Sequence, residues 1–356
     1  MNEHLARLCR ELPAEADAVL IESDVNRRYY TGFPSSAGVL IAFRDAAVLL
    51  VDFRYIEAAR AAADGCDVLL LERRVPQLRQ IFEAHAAKTV AIEARRTTVA
   101  AFALLQKQFP AVAFLADEKL DALIARHRAV KSRAEFETMC RAAAVADRAF
   151  AELLNFIRPG VTERAVANET ARLMRDFGGD GESFETIAAG GPNTSRPHAV
   201  PGERRVQAGD FFTLDFGTLV DGYCSDMTRT VAVGYATDEM RRVYETVLAA
   251  QAAGFAAIRP GAVCSEVDAA ARMLIENAGY RGAFGHSLGH SLGLEIHESP
   301  TFSPTDRTVA EAGMLLSVEP GIYLEGKFGV RIEDTVWITP DGYENLAHSP
   351  KELLIL

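Results

Sequence analysis

The chain has 356 residues, 49% of them hydrophobic, and a formal net charge of −11 from 38 Lys and Arg against 49 Asp and Glu. That length can bury two cores, and the acidic balance excludes a nucleic-acid or anionic-membrane surface. No apolar run reaches the roughly 20 residues a membrane helix needs. Five scattered cysteines without CxxC spacing (Cys9, Cys66, Cys140, Cys224 and Cys264) suggest neither a disulfide framework nor a zinc knuckle. They fit reduced thiols in a cytoplasm. The opening MNEHLARLCREL mixes acids and bases with no apolar core, unlike a signal peptide.

Along the first third, ADAVLIES, AGVLIAF, AAVLLVD, DVLLLE, TVAIEA and AVAFLAD read as strands. RYIEAARAAA and VAAFALLQKQF read as helices between them, the pattern of an α/β domain with a largely buried sheet. The polar, basic DALIARHRAVKSR over residues 121–133 breaks this pattern and sets the domains at 1–125 and 126–356. A helical pattern then runs from Ala134 to Phe156 and stops at IRPG, Ile157–Gly160, because Pro and Gly end helices. IRPG returns at Ile258–Gly261 after another Ala-rich helix. Each copy leads into a further helix, VTERAVANETARLMRDFG and then CSEVDAAARMLIENAG; in the second, Ser265 and Asp268 have the spacing of a capping box. Both give way to β-rich sequence, so two α+β halves related by a pseudo-two-fold are expected.

The β-rich part of the first half reads FFTLDFGTLVDGYCSDMTRTVAVG, where Asp221-Gly222 between apolar runs has the chemistry of a two-residue hairpin turn. With Val220 paired to Tyr223, Asp226 falls opposite Gly217, and Asp215 lies two residues from Gly217 on the same face. The two aspartates become diagonal neighbours about 7 Å apart or less. Burying such a pair uncompensated is costly, so the geometry calls for a cation. The second half supplies Glu319 in LLSVEPGIY and Glu333 in GVRIEDTVWI, both in β-type runs. FGHSLGHSLGLEIHE, Phe284–Glu298, holds three of the eight histidines; its glycines argue against a helix despite the four-residue spacing of His286 and His290. Any one of these acids alone reads equally well as an edge or loop residue. Two Asp, two Glu and at least one His together suit a pair of divalent ions sharing carboxylates better than a structural zinc.

In this order, DFGTLVDGYCSDMTRT, GHSLGHSLGLEIHESP, SVEPGIY and GVRIEDT resemble the pita-bread metallopeptidases. That family holds methionine aminopeptidase, aminopeptidase P, prolidase and the metal-free creatinase. SFETIAAGGPNTSRPHAVP and NRRYYTGFPSSAGVLIAF are similar to its Xaa-Pro branch, and the resemblance covers nearly the whole chain. It implies an α+β pita-bread (creatinase/aminopeptidase-like) catalytic domain with internal duplication behind an α/β creatinase-like N-terminal domain. It also implies that Asp215, Asp226, His290, Glu319 and Glu333 hold two divalent metal ions, Mn(II) or Co(II) in preference to Zn(II). Asp226 and Glu333 would bridge, with Asp215 on one ion and His290 and Glu319 on the other. His198 and His297 match catalytic histidines, and His198, His286, His297 and Arg331 match substrate-side residues.

The implied activity is hydrolysis of the N-terminal Xaa-Pro bond of small peptides with proline at the second position. Many compact prokaryotic prolidases carry an Arg shortly after the HExP element, suited to gripping the proline carboxylate. Here HESPTFSP places Thr301 there. That departure tips the reading toward Xaa-Pro aminopeptidase-like activity, with Xaa-Pro dipeptidase (prolidase) as the alternative. A catalytically inactive binding module would have lost a ligand, and none is missing. The resemblance further implies a homodimer whose N-terminal domain packs on the neighbouring subunit and limits substrate length.

Overall fold

All six β-type runs of the first third form strands in the computed structural model, which describes residues 2–356. They are β1 (Ala18–Ile21), β2 (Val39–Ala42), β3 (Ala47–Val51), β4 (Asp67–Leu70), β5 (Thr89–Ile92) and β6 (Ala113–Leu115), in one sheet ordered β4-β3-β2-β1-β5-β6. The sheet is mixed: β1–β2 and β2–β3 are antiparallel, the other three pairs parallel. Every residue of β1, β2 and β3 is buried, as continuous apolar runs require, whereas β4 at the edge is partly exposed. Helices α1 (Glu3–Arg10), α2 (Asp24–Thr31), α3 (Ile56–Ala62), α4 (Arg74–Ala84) and α5 (Val99–Gln108) accompany the sheet. Helix α6 (Lys119–Ala129) spans the point between His127 and Arg128 where one compact unit ends and the next begins.

In the second unit, α7 (Arg133–Phe156) opens on a capping box between Ser132 and Glu135 and stops at the first IRPG. It is followed by α8 (Glu163–Asp176), β7 (Gly181–Glu182), β8 (Ile187–Gly190), β9 (Phe211–Phe216), β10 (Thr218–Val220), β11 (Tyr223–Cys224) and β12 (Met227–Ala232). After α9 (Asp238–Ala257) and α10 (Cys264–Ile275) come β13 (Gly289–Ser291), β14 (Glu298–Phe302), β15 (Leu315–Val318), β16 (Gly321–Leu324), β17 (Phe328–Arg331), β18 (Asp334–Thr339) and β19 (Gly342–Asn345). The sheets are β12-β9-β8, β11-β10-β7, β14-β13-β15-β18-β19 and the ribbon β16-β17.

The two IRPG segments are used alike. Gly160 N–H donates to Val206 O and Gly261 N–H to Ala310 O, while Val206 and Ala310 donate back to Val161 and Ala262. The helices then start on the same bonds, Glu163 N–H to Arg204 O and Cys264 N–H to Thr308 O. The capping box expected at Ser265 and Asp268 does not form. Val263 is the N-cap, Ser265 Oγ accepts from Arg307, and Asp268 is taken by Arg272 and the Leu288 N–H. Tertiary partners outcompete the local cap there. Among the described residues no helix is long and apolar enough to cross a membrane.

Candidate metal centre

The hairpin at Asp221-Gly222 forms with both turn residues at positive φ, 47° and 73°, as a type I′ turn needs. Val220 pairs with Tyr223 and Leu219 with Cys224. The same register resumes in β9 and β12, where Phe216 pairs with Met227 and Asp215 with Thr228. Between the two pieces lies Gly217, where an added Cβ would stand 1.8 Å from Ser225 O. Only glycine lets the two chains approach so closely. The register thus sets Asp226 opposite Gly217, two residues from Asp215, and both aspartates are buried.

The second half brings its acids together by a similar device. β15 pairs with β18 as far as Val318 opposite Asp334, so the next residues in register are Glu319 and Glu333. There the backbone parts: Glu319 N–H goes to Leu288 O at 2.7 Å and Glu333 N–H to Thr228 O at 3.1 Å. The second bond ties Glu333 to the strand that follows Asp226, and Thr228 Oγ1 also donates to Glu333 Oε2 at 2.7 Å. His290 sits not on a helix but on strand β13, opposite Thr301.

Ligand atoms of Asp226, His290 and Glu333 lie within 4.8 Å of one another. His290 Nε2 is 3.4 Å from Glu319 Oε1 and 3.6 Å from Asp226 Oδ2. Its Nδ1 lies 3.2 Å from Ser291 O, a bond that puts the ring proton on Nδ1 and leaves the Nε2 lone pair facing the two carboxylates. Burial, and then His297, lower the His290 pKa to about 4, so the ring is neutral.

Burial pushes the carboxyls of Asp226 and Glu333 well above the usual range, and repulsion from Asp215 and Asp226 respectively adds to it. Glu319 is pushed up to about 8, again chiefly by burial, with Asp215 adding to the shift against the opposing charge of Arg331. Asp215 Oδ1, Asp226 Oδ1 and Glu333 Oε1 are the only buried side-chain acceptors without a donor among the described residues. Buried acceptors left without donors call for a partner from outside the chain, and a cation is one such partner. Arg331 faces the cluster, but one guanidinium cannot neutralise four carboxylates. An oxygen-rich donor set with one neutral imidazole fits divalent cations.

The remaining sequence-assigned residues surround this centre. Arg331, 4% exposed, donates from Nε to Thr228 Oγ1 at 3.1 Å, from Nη1 to Tyr323 Oη at 2.9 Å and Pro197 O at 3.3 Å, and from Nη2 to Asp215 Oδ2. His286 is tied at both nitrogens, Nδ1 to Ser287 O and Nε2 to Tyr323 Oη, each at 2.8 Å. Burial and then Arg331 lower its pKa to about 4, so Nδ1–H donates to the carbonyl and Nε2 accepts from Tyr323. His297 is exposed, with its ring edge-on to His290 at 4.5 Å. His198 is exposed too, near enough to His286 to help depress that ring's pKa.

Sequence reasoning missed Tyr323, Thr228 and a buried charge cluster behind His297. Glu298 accepts from Lys131 Nζ at 3.3 Å and from Arg128, which also pairs with Glu295 at 2.9 Å; Lys131 Nζ donates to Ser291 Oγ at 3.0 Å. The two cations come from the basic stretch that marks the domain boundary in the sequence. Nothing in the sequence around that stretch points to Glu298, which lies 170 residues away from Arg128.

Residues 137–340 match metallopeptidase family M24, and residues 3–130 match the creatinase/prolidase N-terminal domain. The chain is 38% identical over 352 residues to an Xaa-Pro dipeptidase of Lactobacillus delbrueckii subsp. lactis, covering 96% of this chain and 95% of that one. A solved Xaa-Pro dipeptidase from Bacillus anthracis superposes with a TM-score of 0.94 at 38% identity, over 99% and 98% of the two chains. An X-Pro aminopeptidase from Thermotoga maritima gives 0.90 at 32% identity, over 96% and 98%. Two acids from a hairpin, two from facing strand ends and one histidine thus sit on a pita-bread scaffold, and the chain belongs to the M24 metallopeptidases.

Proposed function

We propose that this protein hydrolyses Xaa-Pro bonds and that Xaa-Pro dipeptides are its preferred substrates. Thr301 leans the sequence reading toward an aminopeptidase; near-full-length similarity to proteins named Xaa-Pro dipeptidases, at 38% identity, favours the dipeptidase. That similarity, together with the donor-free carboxylate cluster, is the observation on which the proposal rests.

Asp215, Asp226, His290, Glu319 and Glu333 would hold two divalent ions, Mn(II) or Co(II) in our reading. Bound there, the ions would supply Lewis-acid polarisation and acidify water near neutral pH. The chain's own residues do the rest. The Xaa-Pro amide has no N–H, so recognition falls on the ring and the termini. His286 has both nitrogens engaged and offers the proline ring a neutral flat wall, backed by Phe284 at 4.9 Å. His297, exposed beside His290, would donate to the oxygen that gains charge as the carbonyl is attacked. His198 can give the leaving proline nitrogen its proton.

We further propose that the IRPG repeat records an internal duplication of the catalytic domain, supported by the shared backbone bonds. A homodimer in the cytoplasm, with the N-terminal domain limiting substrate length, completes the proposal; the five free cysteines are compatible with that compartment. A monomeric mass by light scattering would reject the dimer.

The deciding experiment strips the protein of metal, reloads it with Mn(II), Co(II) or Zn(II), and compares an Xaa-Pro dipeptide with an Xaa-Pro-Yaa tripeptide. Faster dipeptide turnover supports the proposal. Faster tripeptide turnover returns the protein to the aminopeptidase reading, and inactivity on both with every ion rejects peptidase activity.

A further inference from the structure

Gln251 stands on α9 where the ladder between β15 and β18 ends. Those strands pair up to Val318 and Asp334, and beyond them Glu319 and Glu333 turn their N–H groups to other strands. The ladder is therefore open at the two glutamates. The Gln251 amide spans this opening. Its Nε2 donates to Val318 O at 3.2 Å and to Ile332 O at 3.3 Å, the carbonyls immediately before the two glutamates. Gln251 is 1% exposed. Three residues on, Gly254 lets the helix lie close: a Cβ there would come within 3.2 Å of both Leu288 and Val318.

We propose that Gln251 is a positioning residue of the metal centre: its amide fixes the spacing of Glu319 and Glu333 and so sets the affinity for divalent cations. The inference rests on the metal-centre reading above. Gln251 touches neither carboxylate and acts through the backbone that carries them. The role needs an uncharged nitrogen with two hydrogens to donate, in an amide at the end of a two-carbon stem. Met keeps the length without a donor, and Asn keeps the amide but falls one methylene short.

The test titrates the metal-free full-length protein with Mn(II) by calorimetry and records the visible spectrum of the Co(II)-loaded form, for wild type, Gln251→Met and Gln251→Asn. Circular dichroism reports folding. Both variants should stay folded, bind Mn(II) at least about tenfold more weakly, and show a changed Co(II) band as the carboxylates shift. Wild-type affinity and an unchanged band in folded Gln251→Met overturn the proposal. Failure of both variants to fold also overturns it, since Gln251 would then serve the fold rather than the site. If the wild type binds no divalent ion, the metal-centre reading fails and takes this inference with it; normal wild-type binding with unaltered variants removes the inference alone.

Discussion

Arg331 and Asp215 form a buried ion pair that uses only one side of the carboxylate: Nη2 donates to Oδ2, while Oδ1 is buried without a donor. The guanidinium thereby orients the aspartate and leaves its other oxygen available to the centre. Arg331→Met would leave Asp215 uncompensated among three other acids and is expected to cost about 3–5 kcal/mol of stability, read by urea unfolding of the metal-free protein. Arg331→Lys cannot reach Thr228, Tyr323 and Asp215 at once and should behave more like Met than like wild type. A lysine variant with wild-type stability would show that charge, not the planar fork, is what matters.

Asp226→Asn replaces one of the crowded carboxyls with a neutral amide of the same shape. The metal-free variant should be at least as stable as wild type, because burial and the neighbouring acids already disfavour the Asp226 carboxylate. Activity on an Xaa-Pro dipeptide should fall by at least about a hundredfold after reloading with metal, more than the loss of an outer partner costs. Near-wild-type turnover with verified metal content would remove Asp226 from the site.

The raised carboxyls give the metal-free protein a distinctive pH dependence. In the fold Glu319 keeps its proton up to about 8, whereas unfolded it loses it near the ordinary glutamate value. The folded state therefore binds more protons between these limits, and stability must fall as pH rises through that window. Saturating Mn(II) should replace those protons and flatten the decline. Thermal midpoints at about pH 6 and about pH 8.5, with and without ion, check the sign; a metal-free protein that grows more stable with pH would contradict it.

Behind His297, burial alone would raise the Glu298 carboxyl, but Lys131 and Arg128 hold it below the usual carboxylate range. Glu298→Gln would strand the buried Lys131 ammonium, at a cost of about 3–5 kcal/mol. The cost should shrink in the double variant with Lys131→Met, since removing both partners is far cheaper than removing one. Additive losses in the double-mutant cycle would mean the two side chains do not interact.

Much of the centre was legible in the sequence because turn chemistry fixes register. Asp221-Gly222 admits one pairing, and that pairing sets Asp226 across from Gly217. Glu319 and Glu333 stood out as acids inside apolar runs. Their mutual opposition was hidden, because the β16-β17 ribbon separates them in the chain and no local pattern announces that β15 pairs with β18. Arg128 reads as part of a solvated basic stretch; its partner Glu298 lies 170 residues away and is found only by folding. Gln251 in an Ala-rich helix gives no hint of which carbonyls it will meet. Ser265 and Asp268 misled for a related reason: a local cap loses when tertiary partners reach the same side chains.

The hairpin has an evolutionary consequence. Side chains alternate across a strand, so one residue added or removed between Gly217 and Ser225 would turn Asp226 to the opposite face and away from Asp215. Substitutions at the strand positions between Gly217 and the turn leave this register intact, whereas a change of length removes Asp226 from beside Asp215 in a single event. The turn works as a ruler, and descendants of this chain must keep its count as well as residues that accept its positive φ.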